Sequence, residues 1–112
     1  MNIRILFLIL LALSWSQASV ANDGSITINS PSNNATVSAQ SKVAVNYEAT
    51  LGSNGDHLHL YVDGKRVDVL RQIKGSTELD TLPVGKHHVC MTVNMKSHAP
   101  TGVETCVDVT AQ

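Results

Sequence analysis

From Ser25 onward, apolar and polar residues alternate in short runs punctuated by Gly, Pro, Asn and Asp, and no stretch carries a 3.6-residue apolar stripe. The pattern predicts an all-β chain. Ile26 and Ile28 alternate within residues 25–29, and the cluster Ser30-Pro31-Ser32-Asn33-Asn34 turns the chain. A short strand around Val37 precedes a longer one over 42–49, in which Val43, Val45 and Tyr47 share a face. A Gly/Ser/Asn-rich loop follows over 50–56. Then Leu58, Leu60 and Val62 alternate inward, leaving His57, His59 and Tyr61 on the polar face. Asp63-Gly64 predicts a tight turn into a strand over 65–70, because this dipeptide readily supplies positive φ angles. After a loop over 72–75, Leu79 and Leu82 mark another strand, with a corner at Pro83-Val84-Gly85.

The last hairpin is expected to run over 86–94 and return over 102–110. Val89, Met91 and Val93 facing the core leave Cys90 outward with His88, Thr92 and Asn94. On the return strand Val103, Thr105, Val107 and Val109 face in, so Cys106 faces out with Glu104 and Asp108. The two cysteines therefore share a face, as a directly opposed cross-strand pair requires. A uniform register that opposes Cys90 to Cys106 sets His98 at the hairpin tip.

The N-terminus reads differently. Arg4, the unbroken apolar run 5–13 and the small residues Ser19-Val20-Ala21 form a secretory signal with expected cleavage after Ala21. The apolar run is well short of the roughly 20 residues a membrane-spanning helix needs, so no membrane insertion is expected. Residues 22–112 then form one domain, periplasmic or secreted. Its charge balance, seven basic against nine acidic residues once Arg4 is removed, contains no basic run and argues against nucleic acid as a partner. In an oxidising compartment Cys90 and Cys106 are expected to pair, closing a loop of about 15 residues worth roughly 3 kcal/mol in the chain-entropy view.

Roughly seven or eight short strands at this spacing predict a two-sheet antiparallel β-sandwich. The segments Ser25-Ile-Thr-Ile-Asn-Ser-Pro-Ser-Asn-Asn-Ala-Thr-Val37, His59-Leu-Tyr-Val-Asp-Gly64, and 79–89 with its Leu-Pro-Val-Gly-Lys-His centre resemble the bacterial immunoglobulin-like (Big-type) domains. The resemblance covers nearly all of the mature chain. It implies an immunoglobulin-like fold and a spacer or binding role, without a chemistry. Cys90, Cys106 and the segment 95–102 depart from that family's pattern.

Five histidines, His57, His59, His87, His88 and His98, stand out in so short a domain. In His-x-His on a strand both imidazoles project from one face and can reach one ion. The loop before the His57 strand and the last hairpin loop lie at one end of such a sandwich. His57 and His59 are therefore expected near His98, with Met95, Asp56 and Asn94 as neighbours. Three histidines with a thioether suit copper, or zinc if Met95 stays outside the coordination sphere. The competing reading is that exposed histidines simply cover the outer sheet face beside Tyr61 and Thr92. His87 and His88 fall at the opposite end.

Catalysis finds no support: there is no nucleophile elbow or phosphate loop, and Asp63, Asp68, Glu78 and Asp80 fall in turns or on exposed faces. The expected function is that of an exported non-enzymatic binding or accessory module. A protein or extracellular polymer would dock on the face carrying Tyr61, Thr92 and Asn94. The alternative is a periplasmic copper- or zinc-binding protein using His57, His59, His98 and Met95.

Overall fold

The period-two alternation of the sequence is realised as eight strands. In the computed structural model, which describes residues 23–112, these are β1 (Ser25–Ser30), β2 (Ala35–Val37), β3 (Val43–Thr50), β4 (His57–Val62), β5 (Lys65–Leu70), β6 (Lys74–Leu79), β7 (Gly85–Asn94) and β8 (Pro100–Ala111). The expected signal segment 1–21 lies outside the described residues. No helix among the described residues is long and apolar enough to cross a membrane.

The strands form two facing sheets, one in the order β1-β3-β6 and one in the order β2-β8-β7-β4-β5. This is the expected immunoglobulin-like sandwich, its eight strands within the roughly seven or eight expected from the turn signals. One ladder departs from antiparallel pairing: β2 runs parallel to β8, with Ala35 opposite Val109 and Val37 opposite Ala111. Between β1 and β2 the chain crosses from the three-stranded sheet to the five-stranded one. Leu82 is buried as expected but lies beyond the end of β6, which stops at Leu79. A large apolar residue can fill the core from a connection as well as from a strand.

The core lies between the sheets. Val43, Val45 and Tyr47 of β3 meet Leu58 and Leu60 of β4, Val89, Met91 and Val93 of β7, and Val107 and Val109 of β8. These are the alternating residues of each strand, as a pleated sheet with one covered face demands. Two polar groups on that side find partners: the Tyr47 hydroxyl donates to the Gln72 carbonyl (2.9 Å), and Thr105 Oγ1 donates across the sandwich to the Ile26 carbonyl (2.8 Å).

Asp63 and Gly64 adopt φ values of 51° and 81°, the two positive angles of the two-residue hairpin turn that closes Val62 on Lys65. That turn points Asp63 at β7, where its carboxylate accepts from the His88 amide (2.8 Å) and from His87 Nδ1 (2.6 Å). His87 Nε2 meets the Pro83 carbonyl at 2.6 Å, so this ring fastens the corner before β7 to the β4–β5 turn.

Replacing Leu58, which is fully buried in the centre of β4, by Ala should cost about 2–5 kcal/mol in a urea titration. A smaller, pH-dependent term comes from His87. The Asp63 hydrogen bond, reinforced by the Pro83 carbonyl, raises its pKa. The His88 amide and the His87 ring hold Asp63 below its ordinary value. The histidine contribution is therefore complete below the ordinary imidazole value of about 6.5 and is lost as pH rises through the raised folded value. The aspartate contribution is lost as pH falls through its depressed one. The advantage of the wild type over His87→Ala should be largest near pH 5–6, shrink above neutrality, and stay within about 1 kcal/mol because the pair is solvent-screened.

Candidate metal centre

β4 is buried on both faces at its start, because the outward residues His57 and His59 are only 1% and 2% exposed. The reading that exposed histidines cover a solvated sheet face is thereby set aside. The cover comes from the neighbouring strand and from the β7–β8 loop. β4 pairs with β7, opposing His57 to Asn94 and His59 to Thr92. Thr92 and Asn94 are themselves buried and joined by a 2.5 Å hydrogen bond from Thr92 Oγ1 to Asn94 Oδ1. Asn94 Nδ2 donates to the His98 carbonyl (3.0 Å) and draws the loop over β4.

His98 does not occupy the geometric tip. The ladder keeps the register of Cys90 opposite Cys106 as far as Thr92 and Glu104, then shifts so that Asn94 opposes Pro100. The extra β8 residues are taken up around Gly102, whose φ is 101°. The shorter loop turns through Lys96-Ser97: the His98 amide donates to the Met95 carbonyl and the Met95 amide to the Ala99 carbonyl, both at 2.8 Å. His98 follows the turn with φ 70°, a left-handed conformation uncommon for a residue with a side chain and usually filled by Gly or Asn.

This conformation brings its ring onto the β4 pair. His57 Nε2 and His59 Nε2 are 2.9 Å apart, and His98 Nδ1 lies 3.1 Å from the first and 3.2 Å from the second. Three nitrogens thus converge on one point. The far nitrogens of the two buried rings are already committed. His57 Nδ1 is 2.8 Å from Asp56 Oδ2; a carboxylate only accepts, so Nδ1 carries a proton, and in the neutral ring Nε2 then presents its lone pair to the shared point. Asp56 also accepts from Arg71 Nη1 (3.3 Å). His59 Nδ1 pairs with the Tyr61 hydroxyl at 3.1 Å, which orients the second ring in the same way when the phenol accepts. Partners of this kind on the non-coordinating nitrogen are the usual second layer around metal-ligating histidines.

Burial lowers the pKa of His59, helped by positive charge on His57, Arg66 and His98, and so favours the neutral ring. Asp56 is held below its ordinary value, first by its hydrogen bond from His57 and further by Arg71. Chemically, three neutral imidazoles with nitrogens about 3 Å apart repel one another unless a proton or cation lies among them. A cation held by His57, His59 and His98 would relieve that repulsion.

Of the other expected site residues, Met95 is half-buried and anchors the loop through its backbone. Tyr61 is half-buried, and its role as a partner of His59 was missed in the sequence although its spacing signals it. Cys90 and Cys106 form the expected disulfide between opposed residues of β7 and β8. His87 and His88 lie away from the three, and His88 Nδ1 meets Asp108 Oδ1 at 2.6 Å.

No family model matches the chain, and no curated protein is similar to it in sequence. Similarity is found in three dimensions. The fibronectin(III)-like modules of Clostridium thermocellum CbhA superpose with a TM-score of 0.65 at 16% identity, covering 78% of this chain and 96% of that one. An engineered protein superposes with a TM-score of 0.55 at 17% identity, covering 80% of this chain and 20% of its own. At these identities what is shared is the sandwich architecture, which is common to fibronectin III-like and immunoglobulin-like modules.

Proposed function

We propose that the domain is an exported, non-enzymatic metal-binding module whose centre is His57, His59 and His98 and whose ion is copper or zinc. The observation that carries this reading is the convergence of three imidazole nitrogens within 3.2 Å of one another, two of them on buried rings. Burying a polar group without a good partner costs about 1–3 kcal/mol. A sheet face with no further task would fill these positions with apolar or solvated residues. Further support comes from the Asp56 and Tyr61 partners of His57 and His59, and from the left-handed backbone accepted at His98 to aim its ring. Three imidazoles suit both Cu(II) and Zn(II). The disulfide and the signal-like N-terminus are consistent with a periplasmic or secreted location. A protein or extracellular polymer partner is better accommodated beside the exposed His98 than on Thr92 and Asn94, which are buried.

Native mass spectrometry of the mature domain titrated with Cu(II), Cu(I) and Zn(II) should show one bound ion. Metal at about a hundredfold over its Kd should raise the Tm by roughly 10–20 °C for a domain of this size. His98→Gly is the most informative variant, since Gly suits the positive φ: the fold should be kept or slightly stabilised while metal affinity falls at least tenfold, roughly. Unchanged affinity in that variant, or no binding at tens of micromolar metal, would remove the proposal. Tyr61→Phe and Asp56→Asn, which leave all three nitrogens in place, should weaken binding by about 10–100-fold in the same titration.

A further inference from the structure

The outer face of the same sheet carries a second set of metal-ligating groups. Along β7, Cys90 and His88 follow Thr92 at successive outward positions. Cys90 is opposed by Tyr61 on one side and Cys106 on the other, and His88 by Asp108. The two sulfurs and a ring nitrogen of His88 all lie within 4.8 Å of one another. Glu104 Oε1 is 3.6 Å from Cys106 Sγ, while Asp108 orients the His88 ring through Nδ1. Cys90 is buried, but Cys106 is half-buried and His88 is open to solvent, so both a reductant and an ion can approach.

We propose that the disulfide masks a second metal site, which opens when Cys90 and Cys106 are reduced and takes one thiophilic ion, Zn(II) or Cu(I), on the two thiolates and His88. The reducing step takes two electrons and two protons from a dithiol. That dithiol becomes a disulfide as the Cys90–Cys106 bond breaks into two thiols. Binding of the ion then releases the two thiol protons. Cys90 and Cys106 are directly opposed with Cα atoms 4.1 Å apart, and two sulfurs on a tetrahedral ion at about 2.3 Å are roughly 3.8 Å apart, a spacing the freed side chains reach by rotation. The Glu104 carboxylate is in reach of the fourth position. The soft pair and the three-imidazole centre then occupy neighbouring outward rungs of one sheet, with Tyr61 opposite Cys90 and its hydroxyl paired with His59. One is available in either redox state and the other only after reduction.

The inference stands independently of the three-histidine centre, and the test separates the two. Oxidised and phosphine-reduced mature domain are titrated with Zn(II) and with Cu(I) and weighed by native mass spectrometry, with far-UV circular dichroism to follow the fold. The reduced protein should bind one ion more than the oxidised protein. The increment should vanish in the Cys90→Ser, Cys106→Ser double variant and weaken roughly tenfold in His88→Ala. Co(II) added to the reduced wild type should give thiolate charge-transfer absorption, which imidazole ligands alone do not produce. Failure of the three-histidine reading would instead appear as no ion on the oxidised protein with the increment intact. Equal stoichiometry in both redox states overturns the proposal. So does an increment that survives in the double serine variant, or a reduced chain that unfolds and is not refolded by metal.

Discussion

The pairing of β4 with β7 is the constraint on which the rest depends. It opposes Leu58 to Val93 and Leu60 to Met91 on the inner side, where all four are fully buried. On the outer side the same ladder opposes His57 to Asn94, His59 to Thr92 and Tyr61 to Cys90. One set of backbone hydrogen bonds thus fixes both the centre of the core and the donor groups of the outer face. A slip of one residue would send the histidines inward and the leucines out. The hydrophobic side, which loses several kcal/mol per misplaced large residue, holds the register for the polar side.

The outer face shows how a sheet can bury polar residues without a second layer of structure. Asn94 is tied to Thr92 and to the His98 carbonyl, so the loop is drawn across the end of β4 and its ring closes over the other two. Every buried side-chain polar atom among the described residues has a hydrogen-bond partner. The three imidazoles are peculiar in that their partners at the shared point are one another. His57 also has a carboxylate partner at Nδ1, but the rings of His87 and His88 meet only carboxylate and carbonyl oxygens.

Much of this was legible in the sequence because alternation is a local property. His-x-His places two rings on one face whatever surrounds them, and the parity of Cys90 and Cys106 against the inward valines put both cysteines outward. The Asp63-Gly64 turn was legible for a similar reason, since few residues tolerate its φ angles. The parallel β2–β8 ladder was not, because three residues carry no record of the partner they will meet. Nor was the position of His98: extrapolating a uniform register from the cysteines set it at the tip, and the irregularity around Gly102 shortened the loop.

The sequence by itself determined the secondary-structure type, the residues that share a face, and hence the donors available to one side of the sheet. Tertiary structure decided their depth and their meeting point. His57 and His59 became buried because β7 and its loop cover them, and three nitrogens converged because a register shift and one left-handed residue folded His98 back over β4. Facing is set by a period of two within one strand. Burial and convergence depend on segments some forty residues away and on the local geometry of the loop between β7 and β8.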